Sequence, residues 1–223
     1  MKRFIASLPP QAEIAIVLLC AFGWPAVHSL LVATRILDPV AMSDGRLLWT
    51  VVIEVTTLAL LGAFLRARGW TVERFGLGAP SVEDGIDGAG LLAVAYLVPA
   101  TILLFMPADL KQGIYGGALA FAPGGLSLAL VILMSVVNPI FEEVFVVGYV
   151  FAATPASNRL TAINISTALR LVYHLYQGPS SVIFILPLAL VFAWWFSTRG
   201  RLWSLVLAHA GLDLIGLASH ARF

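Results

Sequence analysis

The chain has 223 residues, 60% of them hydrophobic and 11% charged, with a formal net charge of +1. Soluble domains carry about a quarter charged residues. A mean hydropathy of +0.96 therefore excludes an ordinary soluble globule and points to a polytopic membrane protein. The near-neutral balance and the absence of a basic tract argue against a nucleic-acid partner.

The N-terminus begins with Lys2 and Arg3, and its apolar stretch runs to about Leu37 without a small-residue cleavage site. It reads as a retained first helix rather than a removed signal peptide. Cys20 lies in that stretch, has no second cysteine to pair with, and reads as a small core hydrophobe. A membrane-spanning helix needs about 20 apolar residues. Seven segments meet or approach that length: about 12–36, 46–67, 86–107, 123–154, 160–177, 180–198 and 202–219. Pro139 in the long fourth segment predicts a kink or a break, with room for an eighth short helix in the split. The longest polar connection, RARGWTVERFGLGAPSVEDGIDG, joins the second and third segments. The expected fold is all-α: a polytopic integral membrane bundle of about seven or eight helices, forming one domain over 1–223.

Lys and Arg in short loops set the orientation. With the N-terminus inside, one side holds Lys2, Arg3, Arg66, Arg68, Arg74, Arg159, Arg199 and Arg201, and the other holds Arg35, Arg46, Lys111 and Arg222. That bias predicts a cytoplasmic N-terminus. Trp49, Trp70 and Trp203 lie near predicted helix ends and suit an interfacial belt.

Ionisable groups inside a bilayer are costly and face a cavity or one another. Inside the predicted spans lie His28, Glu54, Glu142, Glu143, Arg170, His174, His209 and Asp213. The last six come from three short stretches, FEEVFVVGY, LRLVYHLYQG and LAHAGLDLIG. Arg170 and His174 are four residues apart and share a helix face, as do His209 and Asp213. Glu142 and Glu143 stand about 100° apart around their helix, so only one points squarely at a given site. A carboxylate and two imidazoles from three helices can enclose a pocket that polarises water, binds a metal, or both. The competing reading is that these groups bond across helices and hold the bundle together. His28 and Glu54 stand alone on their segments, and Glu54 is the better placed of the two to touch the site.

The three stretches resemble the motifs of the CPBP family, the CAAX proteases and bacteriocin-processing enzymes also called Abi. The family pattern is EExxxR, FxxxH and HxxxN or HxxxD on successive helices. Here these are Glu142 to Val147, Arg170 to His174, and His209 to Asp213. ERFGLG before the third segment resembles a further family feature. The resemblance covers roughly 70–219, with the catalytic helices over 120–219. It implies an intramembrane endopeptidase acting on a membrane-associated peptide or protein. Glu142 would activate water with His174, Glu143 would partner it, and His209 and Asp213 would complete the site. Two positions depart from the pattern. Val147 stands where the family carries arginine, and Arg170 where it carries an aromatic residue. The expectation is an exchange, with Arg170 supplying the positive charge beside Glu143.

The resemblance leaves the cofactor open between zinc, held by Glu142, His174 and His209, and a metal-free reaction. Three carboxylates against one guanidinium leave a charge of −2 if all are ionised, which a divalent cation or protonation would relieve. No HExxH signature is present. Asp213 replaces the donor an asparagine would offer, so it suits orienting His209 or joining a metal shell. Tyr173, Tyr176 and Gln177 are read either as lining a substrate path or as interfacial groups. Gly148, Pro139 and the Gly178-Pro179 pair are read as opening backbone space. Two rival functions are a decayed scaffold or immunity protein of the same fold, and a proton-coupled transporter. The expected location is a bacterial inner (plasma) membrane. The sequence gives no oligomeric state.

Overall fold

The computed structural model describes residues 8–115 and 120–222, so Lys2 and Arg3 lie outside the described residues. Helix α1 spans Pro10–Ala33, α2 Asp44–Ala67 and α3 Val82–Phe105. A short helix, α4, covers Ala108–Tyr115. Helix α5 spans Leu128–Ala153, α6 Arg159–His174, α7 Ser180–Arg199 and α8 Trp203–Ala218. The fold is an all-α membrane bundle, as expected, with a helix at each of the seven predicted segments. Five of them, α1, α2, α3, α5 and α7, are long and apolar enough to cross a membrane, while α8 is a shorter apolar helix.

Helix starts follow the local chemistry. Ser43 precedes α2, and its hydroxyl accepts from Arg46 N. Ser81 precedes α3 and forms a reciprocal capping box with Asp84. Two π-helical stretches widen the helical turn, one over Leu19–Gly23 in α1 and one over Glu143–Tyr149 in α5. The buried positions of α6 are Ala162, Ile163, Ser166, Thr167, Arg170 and Tyr173. That spacing lies on one face of a 3.6-residue helix. The polar members of the stripe therefore point into the bundle, not into lipid.

Helix α5 is the centre of the molecule. Its apolar window is 67% buried, against 17–39% for the other four spans. Helices α2 and α8 pack on α5, α8 also packs on α3, α7 on α6 and α3, and α1 on α6. The ring of Phe22 in α1 stacks on Tyr173 at 4.9 Å and meets Phe141 at 5.5 Å. The N-terminal helix is thus built into the same core as the motif helices.

Contacts between connections sort the two ends of the bundle. At one end, Leu126–Ser127 pairs in parallel with Ala221–Arg222, and Met42 bridges Phe121. At the other, Glu13 accepts from Arg68 at 2.5 Å, Leu202 N donates to Gly76 O at 3.0 Å, and Arg201 pairs with Asp84. Asp84 also accepts from Ser204 Oγ at 3.3 Å. The long polar connection is therefore a packed clasp over the start of α8. Gly76 takes φ +79°, and a methyl there would lie 2.6 Å from the Gly200 carbonyl oxygen.

Several expectations are corrected. The break that Pro139 allowed does not occur: the helical path of α5 continues through it, and a wide π turn begins four residues later. Neighbouring helices hold the segment on all sides, which lets a proline sit inside a membrane helix. The extra short helix is α4, outside the fourth segment. Cys20 is exposed on the bundle surface rather than buried. Trp70 is buried against Phe75 and Tyr149, with Arg74 over its ring at 4.0 Å, so it is not an exposed belt residue. Gly148 opens no path: a methyl there would meet Phe75 O at 2.9 Å, so the glycine admits the clasp.

Gly76→Ala should lower unfolding stability in detergent by about 1–3 kcal/mol, from overpacking and an unfavourable backbone region. Gly62→Ala, at an exposed helical position with open space around it, should leave stability unchanged or raise it. Thermal unfolding of the two variants beside the parent checks both.

Candidate functional site

The site grows from the junction of α helix and π stretch in α5. Glu142 closes the α-helical part and Glu143 opens the π part. Both are buried, Glu143 completely. Single π turns inside α-helices are frequent at functional sites. Here the two side chains take different partners and still reach the same cluster.

Glu143 has the stronger set. Arg170 Nη2 donates to its two oxygens at 2.8 and 2.7 Å. His209 Nδ1 lies 2.7 Å from Oε1. An ionised carboxylate only accepts, so that imidazole nitrogen carries the hydrogen. Arg170 is 1% exposed, and its guanidinium also stands over the Phe192 ring at 5.6 Å. The charge contact expected between Arg170 and Glu143 is present in the structure. Val147, at the position where the motif has arginine, is fully buried in the apolar core.

Glu142 is held on both oxygens. Asn138 Nδ2 donates to Oε1 at 3.1 Å, and Tyr173 Oη donates to Oε2 at 2.6 Å. Arg170 Nη1 is 3.7 Å from Oε2, and His209 Nε2 is 4.0 Å from it. Those last two separations are longer than direct hydrogen bonds. Tyr173 is buried and lines neither a path nor an interface: its hydroxyl holds the carboxylate. Asn138 is not among the sequence candidates, and Tyr173 is among them only as a path or interface residue. Asn138 had a legible signal, since it stands one helical turn before Glu142.

His174 closes α6. Its Nδ1 lies 2.9 Å from the Arg170 carbonyl oxygen. A carbonyl only accepts, so Nδ1 carries the hydrogen and Nε2 keeps its lone pair. His209 Nε2 lies 3.6 Å from Asp213 Oδ1, and Asp213 Oδ2 is buried with no partner among the described residues. A cavity of about 210 Å³ lies beside the cluster, walled by Arg170, His174, Gln177, His209 and Asp213 on its polar side. Pro99, Ile185, Leu188 and Leu212 form much of its apolar side. Tyr96 and Phe184 also line it and are 43% and 38% exposed, so the cavity reaches the lipid-facing surface between α3 and α7. Glu142 and Glu143 are not part of its wall. They sit behind the polar side.

The other sequence candidates separate cleanly. Glu54 in α2 joins the cluster through Asn138, whose Nδ2 also donates to Glu54 Oε1 at 2.9 Å. His28 stands near the Trp24 ring, 6.1 Å between centroids, away from the cluster. Tyr176 is tied to α1 by its backbone N–H, which donates to Ser29 Oγ at 2.7 Å.

Among the described residues, no group of three or more His, Cys, Asp or Glu side chains is arranged to hold an ion. Glu142, His174 and His209 as placed do not form a zinc ligand set.

Part of the chain is similar to a known protein family. The model of the family described as type II CAAX prenyl endopeptidase, Rce1-like, matches residues 124–215. That match is consistent with the CPBP family and takes in Glu142, Glu143, Arg170, His174, His209 and Asp213. No curated protein and no solved structure matches.

Replacing Arg170 by Gln should destabilise the fold by about 3–5 kcal/mol, because Glu143 would be left as a buried charge without its main partner. Adding Glu143→Gln should return part of that loss. Unfolding of the two single variants and the double variant in detergent measures the coupling. A double variant no more stable than Arg170→Gln would contradict the pairing.

Proposed function

We propose that the chain is an intramembrane endopeptidase in which Glu142 activates the water that attacks a peptide bond. The family match supports a CAAX-type endopeptidase in a membrane. The observation that carries the finer reading is the restraint on Glu142. A carboxylate fixed on both oxygens, beside a guanidinium and an imidazole, is suited to hold one water in one orientation.

The steps use side chains alone. Glu142 takes a proton from water as the water oxygen bonds to the scissile carbonyl carbon. His174 Nε2, with its lone pair free, accepts a hydrogen bond from the same water. Charge moves to the carbonyl oxygen, where the remaining cationic donors, Arg170 or a protonated His209, offset it. The C–N bond then breaks, and the proton on Glu142 passes to the leaving amine. Glu143 and Asp213 orient His209 from its two ring nitrogens. Arg170 stands in for the charge that the family draws from the Val147 position. Zinc is a separate matter: metal analysis of the purified protein decides it, and stoichiometric metal in active protein would require the ligands to regroup.

The apolar wall of the cavity and its lipid-side rim suit a substrate with an apolar anchor. A prenylated peptide ending in a CAAX sequence is the first candidate, from the family description. The protein is an integral membrane protein. We place it in a bacterial plasma membrane with the end carrying Arg66, Arg68, Arg74, Arg159, Arg199 and Arg201 in the cytoplasm. The rival reading, a decayed scaffold or immunity protein, draws on one observation: Glu142 is behind the cavity wall rather than in it.

Purified protein in liposomes should cleave a fluorescence-quenched, prenylated CAAX peptide. Glu142→Ala should reduce kcat by at least about 1,000-fold, the scale expected when a central catalytic group is removed. Cleavage that survives Glu142→Ala contradicts the proposal, and absence of cleavage by the parent favours the scaffold.

A further inference from the structure

The matched residues 124–215 leave out the first four helices. One of those helices nevertheless sends a carboxylate into the site. Glu54, in α2, is 6% exposed. Its Oε1 accepts from Asn138 Nδ2 at 2.9 Å, and the same nitrogen donates to Glu142 Oε1 at 3.1 Å. An amide nitrogen has two hydrogens. Here each hydrogen goes to a different carboxylate, so the Asn138 donor capacity is fully used.

This arrangement removes an ambiguity. An asparagine side chain can turn over and present its oxygen where its nitrogen was. An oxygen facing Glu142 would repel the carboxylate and leave Oε1 without a donor. Glu54 makes the turned-over state costly twice, since both carboxylates would then face an acceptor. The amide is thereby locked with its NH2 toward Glu142.

Retaining Glu54 is costly for the fold. Its Oε2 is buried with no partner among the described residues. Such an atom gives up its hydration with no bond in exchange, and an apolar residue of similar volume would often serve the bundle as well or better. A buried polar atom left unsatisfied calls for an explanation outside packing. The direct link to Glu142 supplies one.

We propose that Glu54 is a positioning residue of the active site: through Asn138 it fixes the orientation of the Glu142 carboxylate. The N-terminal helices are then part of the catalytic apparatus rather than a membrane anchor for it. This rests on the reading of Glu142 as the water-activating base.

The test uses the full chain in liposomes and the prenylated CAAX peptide as probe. Glu54→Leu should lower kcat on the order of 100-fold, the scale of a misplaced catalytic group, with KM within about 3-fold because Glu54 is not on the cavity wall. Glu54→Gln keeps a carbonyl oxygen for Asn138 to donate to and should recover most of that loss. Asn138→Asp puts an acceptor between two acceptors and should fall as far as Glu54→Leu. The double variant Glu54→Leu with Asn138→Asp should fall little further, since both act through one contact. Full kcat in Glu54→Leu would overturn the proposal, and so would a Glu54→Gln variant as impaired as Glu54→Leu. Glu142→Gln runs beside them. If Glu142→Gln still cleaves, the protease mechanism fails and the positioning role fails with it. If Glu142→Gln is inactive and Glu54→Leu is not, only the positioning role fails. Should Glu54→Leu not fold, Glu54→Met, which likewise offers Asn138 no strong acceptor, takes its place with the same expected loss, and full kcat in Glu54→Met would overturn the proposal.

Discussion

The buried contact of Arg170 with Glu143 is the constraint on which the site depends. A guanidinium and a carboxylate taken out of water each cost several kcal/mol, and only close geometry and further hydrogen bonds offset it. Arg170 meets both Glu143 oxygens, stands over Phe192 and lies within 3.7 Å of Glu142. His209 takes the remaining approach to Glu143. Helices α5, α6 and α8 are therefore tied at one point near the middle of the bundle. Shifting any one of them would expose a charge to an apolar medium. That rigidity lets a neighbouring carboxylate, Glu142, keep a fixed direction without being part of the strongest pair.

Around this centre the molecule divides labour between its two acidic residues. Glu143 is saturated and structural in its contacts. Glu142 is restrained by neutral donors, Asn138 and Tyr173, and keeps its charged neighbours at a longer distance. A base held by neutral donors retains more of its capacity to take a proton than one locked in a bidentate ion pair. The π stretch beginning at Glu143 lets adjacent residues serve both roles. The clasp formed by 68–81 and the start of α8 fixes the opposite end of the same helices, with Gly76 and Gly148 admitting backbone where a side chain would not fit.

Much of this was legible in the sequence, for specific reasons. Apolar length alone located the seven predicted segments, each of which holds a helix, because a bilayer admits few alternatives. The pairs Arg170/His174 and His209/Asp213 were legible because helical spacing puts them on one face. The Arg170–Glu143 contact was legible as a displaced charge: one arginine missing at Val147, one present on the next helix. The path of α5 through Pro139 was not, because whether a proline breaks a membrane helix depends on the neighbours that support it. Trp70 and Cys20 were misplaced for a similar reason, since position along a span does not tell which side faces lipid. Tyr173 was ambiguous because a tyrosine near a helix end suits an interface as well as a carboxylate. The link from Glu54 to Glu142 needs a contact between residues 84 positions apart, between Glu54 and Asn138, which no local pattern encodes.

The central claim is that Glu142 activates a water and does not itself attack the substrate. A single turnover with enzyme in excess over the prenylated peptide, quenched with hydroxylamine, separates the two. Attack by Glu142 would release the amine and form a mixed anhydride between Glu142 and the acyl part of the substrate, which hydroxylamine traps as a hydroxamate on the peptide or on Glu142. General-base attack passes directly to the free carboxylate. Mass spectrometry of peptide and protein reads the difference: a free carboxylate with no hydroxamate is the predicted result, and a hydroxamate on either one contradicts the account.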